Sequence, residues 1–65
     1  MNFDITNMDI NILVSIVNMK LRDEFGDLDD LAAYYNVKKE DLEKRLGTIG
    51  YKYSVIVNQF IREIV

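Results

Sequence analysis

The side chains that could carry chemistry in this chain are carboxylates, lysines, tyrosines and hydroxyls, because the sequence has no cysteine and no histidine. No histidine can activate Ser15 or Ser54 as a nucleophile, and no thiolate or imidazole metal site can form. Gly47 and Gly50 lack the loop length and the Lys-Ser/Thr ending of a phosphate-binding loop. We therefore expect a protein that is not an enzyme, with no catalytic residue, no metal and no cofactor.

The densest group of carboxylates is Asp27, Asp29 and Asp30. The spacing predicts that Asp27 caps the start of a helix and that the other two lie in its first turn, where the helix dipole favours negative charge. A calcium loop would need a longer segment and a closing glutamate. The sequence therefore indicates a helix start here rather than a metal site.

Size and charge set the next limits. The chain has 65 residues and a net charge of −3, so we expect a single small domain over residues 1–65. The charge is uneven: residues 1–30 hold seven acidic and two basic side chains, whereas residues 38–52 hold five basic and three acidic ones. An acidic protein repels phosphate at long range, so any nucleic-acid binding is expected to be weak and local.

Apolar spacing of three and four residues predicts three helices, at about residues 8–25, 27–35 and 38–49. Thr6 or Asn7 is the expected N-cap of the first helix, and Gly26 is expected to end it in a left-handed conformation. Asn36 stands where the chain must turn between the second and third helices, and asparagine tolerates that region.

Residues 51–65 allow three interpretations. Tyr51 to Tyr53 alternates aromatic and polar residues, which favours a hairpin over about residues 51–60. One long strand from Tyr51 to Val57 and a final helix from Val57 to Val65 are the alternatives. The connection Ser54–Val57 is rich in β-branched residues, which are poor turn formers. We predict the hairpin, and with it a mainly α (α+β) fold: a three-helix, helix-turn-helix-like core with a short C-terminal β-hairpin.

Several blocks of the chain resemble an uncharacterised family of short bacterial proteins, a domain of unknown function. The blocks are MNFD at 1–4, NMD at 7–9, SIVNMKLRD at 15–23, LDDL at 28–31, IGY at 49–51 with Tyr53, and NQF at 58–60. The chain departs from the family pattern at Ile10, where a proline is common, and at residues 54–57, where relatives are polar. The resemblance implies a fold and a compartment but no activity.

A second, local resemblance is to the helix-turn-helix of winged-helix regulators. It is carried by Leu31-Ala32, Tyr35, Asn36-Val37, Leu42 and Leu46, with the hairpin in the position of the wing. If the third helix enters a major groove, lysines would contact phosphates and Arg45 could reach a guanine edge. The candidate nucleic-acid residues are Lys38, Lys39, Lys44, Arg45 and Lys52. A solvated, charge-balanced helix face is the competing interpretation.

The alternative function is a homodimerising protein-interaction module. The first helix carries a second apolar stripe beside its buried face, and further apolar residues follow later in the chain. Asn18 is expected to face water. The candidate interface residues are Ile12, Ile16, Met19, Tyr34, Ile61, Ile64 and Val65.

No apolar run approaches the roughly 20 residues of a membrane span. We therefore expect no membrane partner. The absence of cysteine fits a cytoplasmic location.

Overall fold

A computed structural model describes residues 7–63 of the chain. It contains three α-helices followed by two antiparallel strands: α1 (Ile10–Asp23), α2 (Leu28–Tyr35), α3 (Lys39–Gly47), β1 (Tyr51–Ser54) and β2 (Gln59–Arg62). The predicted mainly α fold with a C-terminal hairpin is confirmed. The long-strand and final-helix alternatives are wrong for residues 51–62.

α1 begins two residues later than predicted because Asp9 is the cap. The Asp9 carboxylate accepts the backbone N–H groups of Asn11 at 2.9 Å and Ile12 at 3.2 Å, which satisfies two free donors at the helix start. The prediction that Asn7 caps α1 was therefore wrong, and the alternative cap, Thr6, lies outside the described residues. Gly26 was also assigned wrongly, since α1 ends at a cap on Glu24 and Gly26 has no positive φ.

The turn between α2 and α3 follows the prediction. Asn36 has φ 56° and ψ 45° and caps α2, and the Val37 N–H donates to the Ala32 carbonyl at 2.9 Å. Asp27 caps the start of α2 by accepting the Asp30 N–H at 2.8 Å. These contacts establish only the geometry of the turn. The resemblance to the helix-turn-helix of winged-helix regulators stays a prediction.

The core lies where the helices and the hairpin converge. α1 contributes Leu13, Val17 and Leu21, all at most 2% exposed. Leucines of α2 and α3 and one aromatic residue of β2 complete it: Leu28, Leu31, Leu42, Leu46 and Phe60. Burial of apolar surface at about 25 cal/mol per Å² is the main stabilising contribution in such a core.

α3 ends at Gly47, two residues earlier than predicted, and a tight turn leads into the hairpin. The N–H groups of Thr48, Ile49 and Gly50 each donate to the carbonyl three residues back, the pattern of a 3₁₀ turn. Gly50 then takes φ +84°, a conformation that glycine adopts without steric cost. The strands pair Tyr51 with Arg62 and Ser54 with Gln59 at their two ends.

Candidate interaction surfaces

The predicted nucleic-acid residues do not form one free basic face. The Lys39 ammonium lies 3.2 Å from the Asp29 carboxylate, which raises the pKa of Lys39 through this hydrogen bond. The half-buried Arg45 donates from Nη2 to the Met8 carbonyl at 2.9 Å and so ties α3 to the segment before α1. Both cations thus have partners within the fold, and a role for Arg45 at a guanine edge stays a prediction.

The other three basic residues, Lys38, Lys44 and Lys52, are exposed. In the described chain no carboxylate oxygen lies within 4 Å of their ammonium groups. α3 also exposes three carboxylates among them, and these oppose the approach of a phosphate backbone. They are Glu40, Asp41 and Glu43.

The predicted interface residues of α1 lie on one exposed face. Ile12 is 54% exposed and Met19 is 44% exposed, with Ile16 half-buried beside them. We call these three residues the α1 stripe. The helix carries no charged residue from Ile10 to Met19, so the stripe is a neutral surface.

Tyr34 is 73% exposed and packs in an aromatic cluster at the other end of α1. Its ring centroid lies 5.4 Å from that of Phe25 and 4.9 Å from that of Tyr35, distances typical of favourable aromatic pairs. Ile61 is 49% exposed and faces Lys52 across the hairpin. Ile64 and Val65 lie outside the described residues.

An amide junction that the sequence reasoning missed joins α1 to the hairpin. The half-buried Asn18 accepts the Phe60 N–H at 2.7 Å through Oδ1 and donates through Nδ2 to the Phe60 carbonyl at 3.0 Å. Gln59 donates from Nε2 to the Asn18 carbonyl at 2.9 Å. The prediction that Asn18 faces water was wrong, because its amide pairs with β2 as a neighbouring strand residue would. Because Asn18 occupies the backbone N–H and carbonyl of Phe60, a strand of another chain cannot pair with β2 at this residue.

A second polar network connects the end of α1 to the start of α2. Asn58, at φ 54°, donates from Nδ2 to the carbonyls of Leu21 and Phe25, both at 3.0 Å. Its Oδ1 accepts the Tyr53 hydroxyl at 2.5 Å, and that hydroxyl accepts the Leu28 N–H at 3.3 Å. The network thus gives hydrogen-bond partners to carbonyls at the end of α1 and to a free N–H at the start of α2. The polar residues Asn58 and Gln59 in an apolar segment were the sequence signal for both networks.

The hairpin tip is the most exposed apolar segment of the described chain. Val55, Ile56 and Val57 form the turn between β1 and β2, and Ile56 is 91% exposed. Turns are usually built from Gly, Asn, Asp, Ser or Pro, and here only Asn58 supplies such a residue. The three side chains gain little burial from the fold.

Beside the tip lies a cleft of about 500 Å³. Its lining includes three carboxylates and one ammonium, so its charge is negative overall. The lining residues are Gly26, Asp27, Leu28, Asp29, Lys39, Glu43, Tyr53 and Val55. We call this the acidic cleft. Its lining holds no serine, cysteine or histidine side chain.

Within residues 7–63, no group of three or more carboxylate, histidine or cysteine side chains could hold a metal ion. No helix in that range is long and apolar enough to span a bilayer.

The structure thus defines a class: a small three-helix domain closed by a C-terminal hairpin, with exposed apolar surfaces. The chain belongs to the DUF4250 family, a domain of unknown function, which matches residues 7–60. The resemblance to an uncharacterised family is therefore confirmed, whereas a bacterial origin stays a prediction. No curated protein and no solved structure matches the chain.

Proposed function

We propose that this domain is a non-enzymatic, cytoplasmic protein-interaction module that forms a homodimer through the α1 stripe. The observation that carries the proposal is that Ile12 and Met19 are about half exposed on one face of the helix that also supplies the centre of the core. Exposed apolar surface of this kind marks association sites in small domains.

The neutrality of the stripe favours a second copy as the partner. Two copies that each carry a charge of −3 repel weakly at long range. The exposed Asn11 and Ser15 beside the stripe are uncharged, and the charged Arg22 and Asp23 one turn beyond Met19 pair with each other. The centre of two packed α1 helices therefore brings no like charges together. Ile12 and Met19 are seven residues apart, about 10 Å along the helix, which suits an isologous helix pair.

Analytical ultracentrifugation from low to high micromolar concentration tests the proposal. We expect a monomer–dimer equilibrium that Met19→Glu shifts to monomer, since the substitution places a charge in a dry contact. The matched control is Ile56→Glu, which adds the same charge to an exposed apolar residue outside α1. A wild-type protein that stays monomeric throughout would contradict the proposal, as would an equal loss of dimer in both variants.

Weak nucleic-acid binding is the second candidate function. It is supported by the three exposed lysines without a close carboxylate, Lys38, Lys44 and Lys52. Replacing all three by glutamine should abolish any duplex DNA or RNA binding seen at low salt. Binding that does not weaken as salt rises would argue against phosphate contacts altogether.

A further inference from the structure

The hairpin tip and the acidic cleft adjoin each other, and Val55 belongs to both. Apolar side chains therefore stand directly beside a negatively charged depression. This combination differs from the α1 stripe, where the exposed residues beside Ile12 are the uncharged Asn11 and Ser15. The charged residues one turn beyond Met19, Arg22 and Asp23, pair with each other. A partner that covers both features must bring apolar contact and positive charge together.

Packing within the folded domain does not explain why the residues of the hairpin tip are apolar. Val55 is 79% exposed and Val57 is 55% exposed, so they contribute little to the core. β-Branched residues are also unfavourable in a turn, and the left-handed conformation that the turn requires is supplied by Asn58. The three apolar side chains are thus presented to solvent.

The tip is held in a fixed position relative to the cleft. Asn58 donates to the carbonyl of Leu21 in α1 and to that of Phe25 just after the helix. The Tyr53 hydroxyl, which donates to Asn58, also accepts the N–H of the first residue of α2. Tyr53 itself lines the cleft. A surface that is ordered before binding loses less conformational entropy when a partner docks.

We propose that the hairpin tip and the acidic cleft form a docking surface for a basic segment of another protein, one that carries lysine or arginine next to apolar side chains. The partner's apolar residues pack on Val55 and Ile56. Its cations lie near Glu43, which has no cation within 4 Å among the described residues, and next to the Asp29 carboxylate, which already lies 3.2 Å from the Lys39 ammonium. Charge complementarity favours this occupant, because the three carboxylates that line the cleft outnumber its one ammonium.

The probe is a fluorescein-labelled amphipathic peptide of leucine and lysine, measured by fluorescence anisotropy. Two matched peptides carry glutamate for each lysine or serine for each leucine. We expect the leucine–lysine peptide to bind and each matched peptide to bind at least about tenfold more weakly. Equal binding of the glutamate peptide would overturn the proposal.

Two double variants separate a local site from general charge attraction. Asp29→Asn with Glu43→Gln removes two carboxylates from the cleft, whereas Glu40→Gln with Asp41→Asn removes two from the exposed first turn of α3. We expect the first pair to weaken binding by about tenfold and the second to change it little. An equal loss in both would show nonspecific attraction and overturn the proposal.

Chemical-shift mapping on the wild-type protein gives a readout that needs no variant to fold. Peptide addition should shift the amide resonances of residues 26–29 and 53–57 and leave the α1 stripe unchanged. Shifts centred on Ile12 and Met19 would overturn the proposal, as would tip shifts caused by lipid vesicles and not by the peptide. Ile56→Ser should weaken peptide binding without changing the sedimentation behaviour, whereas a change in oligomeric state would show that a second copy occupies the tip.

Discussion

The α1 stripe and the hairpin tip are both exposed and apolar, but their surroundings differ. The stripe lies on a helix with no charge over ten residues, and its helix also supplies buried core residues. The tip lies beside three carboxylates and is attached to the helices through amide and hydroxyl groups. We therefore expect the charges at the edge of each surface, and not apolar exposure alone, to select its partner.

We expect the largest loss of stability from removing the hydrogen bonds that attach the hairpin to the helices. Asn58→Ala removes the hydrogen bonds to the carbonyls of Leu21 and Phe25 and the one from Tyr53, and it places alanine at φ 54°. Buried groups left without partners and the left-handed strain should together lower the free energy of unfolding by about 3 kcal/mol. Urea denaturation measures this change.

Asn58→Gly and Asn11→Ala are the matched controls for that variant. Glycine keeps the backbone conformation while losing the amide, so its loss should be smaller than that of alanine. Asn11 is exposed on α1, and its replacement should change stability little. A loss at Asn58→Ala no greater than at Asn11→Ala would show that the hairpin does not depend on this network.

A smaller and more selective effect is expected from Tyr53→Phe. It removes the hydroxyl that links the Leu28 N–H to Asn58 and should lower the free energy of unfolding by about 1–2 kcal/mol. Because Tyr53 lines the cleft and is not part of α1, peptide binding should weaken while dimer formation is retained. Tyr51→Phe, on the same face of β1, is the control, and equal effects of both variants on peptide binding would contradict the assignment.

These networks also show how far sequence reasoning reached. The three helices, the turn at Asn36 and the cap at Asp27 follow from local patterns, namely apolar spacing and residues with particular backbone preferences. The hairpin followed from alternation at Tyr51 and Tyr53, even though its turn has unfavourable residues.

The parts that sequence reasoning missed depend on contacts between distant residues. Asn18 appears polar and solvent-facing on a helical projection, and its partner Phe60 lies 42 residues away. Arg45 donates to the Met8 carbonyl, 37 residues away in the sequence, and the pattern of α3 alone gives no sign of this contact. Such pairings are set by tertiary packing, so no local sequence pattern predicts them.

A higher salt concentration should affect binding at the acidic cleft and association through the α1 stripe differently. At about 1 M salt the screening length falls to roughly 3 Å, so the leucine–lysine peptide should bind several-fold more weakly than at low salt. Dimer formation through the neutral α1 stripe should be unchanged or slightly stronger, because it depends on apolar burial. Anisotropy and sedimentation at matched salt concentrations measure the two, and a parallel loss would mean that both associations use the same charged surface.

The smallest effect is expected from Gly47→Ala, which provides a more stable background for the surface variants. Gly47 is the last residue of α3, and an added Cβ meets no atom within 4 Å. The substitution should raise the free energy of unfolding by about 0.5 kcal/mol, since alanine loses less backbone entropy on folding. Gly50→Ala should do the opposite by about 1 kcal/mol, because Gly50 has φ +84°. Thermal denaturation of the two variants measures the difference in sign, and a stabilised Gly50→Ala would mean that the turn before the hairpin, and with it the placement of the tip, differs from the one described.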